Sequence, residues 1–475
     1  MKKKPAPPAP QPAQIQAIER CIERGDFGGA GERLERLQKA FPDFKPLKRL
    51  AFEIAWKDGN VDEAAAAAWD WCEATPNSVR AFDALYGASA GRYPFLFRHA
   101  AGRLRALGER VDDDEILQRH GGKLDQADGL RVDLAQAFMG CARFAEARPL
   151  VETLDRPPAQ NNFAQILFAE GEIERAAEVF AATLEKAPEN FFALARLAAL
   201  RLWLCGKSAA IEINERLQTL TPVDINALQL KMESALFFGQ PERADAAWRA
   251  ASELPWYGEQ IERVPEIGKA LRYLSAMAAW RLGEHFEAIR RLDDDDDDYD
   301  GDPDWGIRSK CRRAALTADT PDWKIREMAF WWPTGRITAL FRKKMYRNDK
   351  EFFDGWGVPT PNADYLVAVS ASGGESSREF AISALEYLAD EGGEARENAR
   401  RAMLELLRLP CGPDEVRSQL QTTMSEKGFF ADGATVEVFT RGKIIEARPP
   451  AVAVRDDDET ASDEAGLPPT MRRGR

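Results

Sequence analysis

The chain has 475 residues, 44% of them hydrophobic, enough to bury a sizeable core over most of its length. Its formal net charge of −13 argues against a general binder of nucleic acid or anionic membrane, because phosphate affinity comes from clustered Lys and Arg. No apolar run approaches the roughly 20 residues that span a bilayer. The six cysteines (Cys21, Cys72, Cys141, Cys205, Cys311, Cys411) are scattered without CxxC spacing, the pattern of reduced thiols in a cytosol.

Residues 1–13 start with three lysines but lack the apolar stretch of a signal peptide, so export is not expected. Their prolines predict an extended, solvated tail. From 14 to 292 the sequence repeats itself. Gly25 and Gly59 are 34 residues apart, as are Ala30 and Ala64, and Pro42 and Pro76. The same interval separates Pro188 from Pro222, Ala176 from Ala210, and Ala210 from Ala244. A fixed period in this range marks stacked helical units.

The stretch from Phe163 to Asn190 shows one unit clearly. Gly171 ends a first helix, because a residue without Cβ enters the left-handed region at little cost. Ala176, Phe180 and Thr183 then fall on one face of a second helix. Ala176 is small where helices approach, Phe180 fills the space beside it, and Pro188 closes the unit. That face recurs as Ala30, Leu34 and Leu37; as Ala64, Ala68 and Trp71; and, behind Gly239, as Ala244, Trp248 and Ala251. Gly283, Ala288 and Leu292 start another copy. Ala100, Leu104 and Leu107, then Ala147, Val151 and Leu154, keep the spacing without a closing proline. About eight units fit between Gln14 and Leu292.

This pattern resembles the tetratricopeptide repeat family. The second helices match it better than the first. The resemblance implies two antiparallel helices per repeat, stacked as an α-solenoid whose concave groove, lined mainly by first helices, receives a protein partner.

Residues 293–304 are almost all aspartate and read as an acidic loop between helices. Asp296, Asp298 and Asp300 precede Gly301 as in a calcium loop, but the twelfth position is Ile307 rather than glutamate, and Pro303 intrudes. A solvated loop is the expectation, with docking onto a basic surface as the alternative. Residues 305–358 form a helical junction rich in tryptophan: Trp305, Trp323, Trp331, Trp332 and Trp356. Burial against the last repeat is the plain reading. The sharper one is an aromatic and basic surface for a peptide or a single-stranded nucleic acid, with charge from Arg336, Arg342, Lys343, Lys344 and Arg347.

Residues 359–450 read as a small α+β module. Ala363 onward suggests a short strand or buried turn, then a Ser/Gly loop and a helix. Ser372, Gly373, Gly374 and Ser376 precede that helix, where backbone N–H groups could hold an anion or nucleotide. No Walker lysine follows. A helix over 394–409, another ending near Lys427, and two strands around Arg441–Gly442 complete the module. Residues 451–475 are acidic and expected to be disordered.

His99, His120 and His285 lie in no motif with a nucleophile or metal partner, and no cysteine cluster suits zinc. No cofactor, metal or catalytic residue is expected. The sequence therefore predicts a mainly α, non-enzymatic scaffold or adaptor that binds protein as a subunit of a larger complex in a bacterial-type cytosol, without membrane contact. The alternatives are a regulatory sensor using Ser372–Ser376 and an accessory protein that binds nucleic acid through 336–350.

Overall fold

The computed structural model describes residues 9–111, 125–293, 323–325, 331–343, 348–410, 414–431, 434–440 and 443–449. The acidic run beyond Asp293, with Asp296, Asp298 and Asp300, lies outside them. So do Trp305, Lys344, Arg347, His120, Cys311, Cys411 and the tail from 450. The chain divides into two compact units, 1–166 and 167–475.

The first unit begins with paired helices: α1 (Pro12–Glu23) with α2 (Phe27–Ala40), α3 (Pro46–Lys57) with α4 (Val61–Ala74), and α5 (Val79–Ser89) with α6 (Pro94–Ala106). Gly25 and Gly59 take φ of 74° and 78° between partners, where any Cβ adds strain. Asp26 and Asn60 then cap the second helices by accepting the N–H of Gly29 and Glu63. Ala30 and Ala64 are fully buried at the helix crossings. The first helices lie side by side, α1 on α3 and α3 on α5.

Helix α7 (Gln126–Gly140), paired with α8 (Phe144–Val151), leaves that row. It packs on α4 and α6, both second helices. Two glycines permit the approach: a Cβ at Gly140 would fall 2.1 Å from Asp62 Oδ2, and one at Gly129 2.2 Å from Phe95 Cδ1. Between them the buried Asp133 accepts the N–H groups of Phe95 (2.7 Å) and Leu96 (3.1 Å). It thereby supplies the cap that Tyr93, at the start of α6, does not. Burial pushes its carboxyl up to about 6. Arg143 adds a 3.0 Å ion pair to Asp70 of α4.

Helix α9 (Pro157–Glu170) carries the division between the units. Beyond it come α10 (Ile173–Lys186), then α11 (Phe191–Cys205) with α12 (Lys207–Thr219), and α13 (Ile225–Phe237) with α14 (Pro241–Ala251). A short α15 (Tyr257–Arg263) precedes α16 (Pro265–Arg281) and α17 (His285–Asp293). Helix α10 buries Ile173, Ala176, Ala177, Phe180, Thr183 and Leu184, a stripe of helical period. Full burial of a side chain such as Phe180 is worth roughly 1.5–3 kcal/mol. Ala210, Ala244 and Ala288 are fully buried, and Gly171, Gly239 and Gly283 take left-handed φ. The carbonyl of Pro188 accepts Arg216 Nη2 at 2.5 Å, and that of Pro222 accepts Trp256 Nε1 at 3.2 Å. Pro76 in the first unit accepts Arg103 in the same way, so the closing prolines also tie successive repeats together. Pro42 is exposed after α2.

The rest of the second unit contains α18 (Thr334–Lys343), α19 (Asp349–Trp356), α20 (Ala363–Ser372), α21 (Glu375–Glu391), α22 (Gly393–Arg408) and α23 (Asp414–Glu426). It ends in an antiparallel pair, β1 (Val436–Thr440) and β2 (Lys443–Ala447), in which Thr440 faces Lys443 across Arg441–Gly442. The stretch from Ala363 is a helix, not the expected short strand or buried turn. It is buried at eight of its ten positions, and an apolar run of this length has no polar face to show its period. Asn362 settles the matter locally by accepting the N–H of Asp364.

Candidate interaction surfaces

The ends of the first helices share a feature. Phe168, Trp203 and Trp280 each stand three residues before a left-handed glycine: Gly171, Gly206 and Gly283. In the α13 repeat Leu236 takes that place, with Phe237 beside it. All are buried, with Trp203 at 0% exposure.

In the second unit the chain covers this row itself. Trp331 stacks on Phe237 with ring centres 4.4 Å apart. The Trp203 ring meets Tyr365 at 4.8 Å, with Phe168, Trp332 and Trp356 set edge-on at 5.9, 5.9 and 6.1 Å. Trp323 packs on Tyr273 and Trp280. Such pairs add about 0.5–1.5 kcal/mol each beyond the area they bury.

Backbone contacts fix the covering segment. Trp203 Nε1 donates to the Pro359 carbonyl (2.9 Å), and the Trp203 carbonyl accepts Asn362 N–H (2.8 Å). Helix α12 starts at Gly206, which has no side chain to cap it, and Asp364 accepts the Lys207 N–H at 2.9 Å instead. The turn glycines make room: a Cβ at Gly171 would fall 2.8 Å from Val358 Cγ2, and one at Gly206 3.1 Å from Asn362 Nδ2. Tyr365 Oη donates to the Trp331 carbonyl (2.5 Å), and burial drives its pKa upward. Helix α20 thus lies across α11 and α13, two first helices. A cleft of 320 Å³ remains beside it, floored by Leu202, Leu236, Val367, Ala368 and Ala371, with Lys207, Asp364 and Glu405 among its lining residues.

The residues singled out for anion binding form part of this joint. Ser372 is fully buried; its hydroxyl accepts Arg281 Nη2 (3.3 Å) and its carbonyl accepts Ile325 N–H (2.6 Å). Arg281 also donates to the carbonyls of Leu236 and Ala371. Gly373 N–H donates to the Val369 carbonyl, and Arg378 donates to the carbonyls of Ser370 and Gly373. Gly374 opens α21, and Ser376 is exposed in its first turn. Of the basic stretch, Arg336 donates to the Trp356 carbonyl (2.7 Å); Arg342 and Lys343 belong to α18, and their side chains lie outside the described set.

The equivalent residue in the first unit is Trp56, three before Gly59, and it is 50% exposed. Its ring stacks on Phe52 at 5.9 Å with a 25° tilt. Exposed Gly87 of α5 lies beside it, so that a Cβ there would touch the indole edge at 4.0 Å. Arg49 joins Glu19 of α1 (3.1 Å) to Glu53 of α3 (2.6 Å), which neutralises its charge on this row. The sequence signal for Trp56 was its offset from the turn glycine. The expected helix-face spacing selects buried residues and passes over it.

The two described histidines are packed against rings. His99 lies near Trp69 and Phe82, and His285 stacks on Trp280 at 4.1 Å; burial lowers the pKa of both. No group of acidic, His and Cys side chains suited to a metal occurs among the described residues. Nor is any described helix long and apolar enough to cross a membrane.

No protein-family model matches the chain, and no curated protein matches it either. Among solved structures it is similar to a tetratricopeptide repeat protein from Parabacteroides merdae, at 13% identity over 54% of this chain and 97% of that one, with TM-score 0.26. It is also similar to the structure of Naa15/Naa10 bound to HypK-THB (14%, 88% and 68%, TM-score 0.28) and to yeast Tom70 (12%, 88% and 95%, TM-score 0.23). At these scores the likeness concerns fold and assigns neither activity nor partner.

Proposed function

We propose that this chain is a protein-interaction scaffold whose first unit holds the partner on the row α1–α3–α5. One observation carries the reading: the aromatic before the turn glycine is open at Trp56 and covered by the chain's own residues at Phe168, Trp203 and Trp280. Binding energy at protein interfaces concentrates in a few anchors, with Trp, Tyr and Arg enriched among them. The second unit, with its row filled, serves as a fixed support in this reading. No catalytic role is proposed; burial lowers the pKa of both described histidines. The described thiols are free, and burial pushes Cys72 up to about 12 and Cys141 to about 11, which makes both poor nucleophiles.

A photo-crosslinking amino acid at Glu53 or Asp83 of the first unit, and at Gln229 or Arg272 of the second, tests this in lysate of the source organism. Crosslinks to one protein from the first pair are expected. Crosslinks from the second pair alone, or from neither, overturn the reading.

A further inference from the structure

The covered row of the second unit shows what the open row of the first lacks. Trp203 and Trp56 occupy the same place in the repeat, three residues before a left-handed glycine at the end of a first helix. Around Trp203 the chain supplies the edge-on ring of Trp356, the tilted ring of Tyr365 and a backbone carbonyl, that of Pro359, for the indole N–H. Around Trp56 the ring is already oriented by Phe52, Gly87 leaves its edge clear, and half of the residue faces solvent. Arg49 is balanced by two carboxylates, so the row favours an apolar, aromatic visitor over a strongly charged one.

Building on the scaffold reading, we propose that Trp56 and Gly87 form a docking shelf for an extended, proline-containing segment of a partner protein. That segment brings an aromatic side chain edge-on to the indole and a main-chain carbonyl to its N–H, as residues 356–365 do at Trp203. The correspondence has a defined limit. Asp364 caps α12 because Gly206 cannot, whereas α4 has its own cap in Asn60. The visiting segment therefore needs the aromatic but not the aspartate.

The probe is a fluorescent synthetic peptide of residues 354–366, added to the full chain and followed by anisotropy. Saturable binding is expected, weakened about tenfold or more by Trp56→Ala and by Gly87→Arg. Both variants should stay folded, with only a small shift of the melting curve from the parent, since Trp56 is half exposed and replacing an exposed helical glycine favours the helix. Ala in place of Trp356 in the peptide should abolish binding, and Ala in place of Asp364 should leave it unchanged. Binding that survives both chain variants, or no binding at millimolar peptide, overturns the proposal. The scaffold reading is judged separately by crosslinking: a partner captured at Glu53 with no peptide binding would remove the segment chemistry and leave the scaffold.

Discussion

The rows of first helices in the two units start from the same local design and end in different states. The repeats around Trp56 and Trp203 both turn at a left-handed glycine, Gly59 and Gly206, bury an alanine in the second helix, Ala64 and Ala210, and carry a tryptophan near the end of the first helix. In the second unit α20 and the segment before it lie across the row, so Trp203 is wholly buried and its N–H is satisfied. In the first unit the row runs only from α1 to α5, because α7 packs on the second helices instead, and Trp56 stays half exposed. The lesson is that the same residue in the same repeat position is structural or available according to what lies over it.

The sharpest way to test this contrast is to truncate the tryptophans. Trp203→Ala should cost about 3–5 kcal/mol, as large core truncations do, and release the covering segment. Denaturant melts of the full chain, with limited proteolysis around residues 357–361, would register both effects. A loss below about 1 kcal/mol would mean the joint is loosely packed.

The next test concerns the departure of α7. Gly129→Leu would force a side chain into the Phe95 ring and should cost about 1–3 kcal/mol. Unchanged stability would show that α7 does not need its close seat on α6.

Asp133 gives the same contact a pH signature. Its folded carboxyl titrates near 6, above the ordinary 3.8. Between those values the folded state binds more protons than the unfolded one, so this group lowers stability as pH rises from about 4 to about 6, and its effect is then level. Asp133→Asn keeps an acceptor for Phe95 and Leu96 and should remove on the order of 2 kcal/mol of that dependence. Comparing unfolding of variant and parent at pH 4, 5, 6 and 7 isolates it. Parallel curves would exclude the raised carboxyl.

The smallest expected effect is at the open ring. Trp56→Ala should change stability by about 1 kcal/mol or less, because half its surface is already in water. A loss as large as that of Trp203→Ala would mean the first row is not free.

Much of this design can be read along the chain. The period of 34 places the turn glycines and the buried alanines, since a left-handed turn and a helix crossing make demands on single residues. The strand pairing is similarly local, with Thr440 and Lys443 in register and two residues between them in the sequence. The helix from Ala363 was not legible, because a segment buried all round carries no period. Neither was the role of Ser372–Gly374, whose polarity suggested a ligand site and whose partners are Arg281 and Arg378, the former 91 residues away.

What the sequence by itself determined is the repeat: where each helix turns, which face it buries, and how long the unit is. Only the tertiary structure decided which row is filled. That choice depends on contacts such as Trp203 with Pro359, 156 residues apart. Nothing in the local pattern around either residue encodes that meeting, because helical periodicity specifies a face and leaves open what will lie against it.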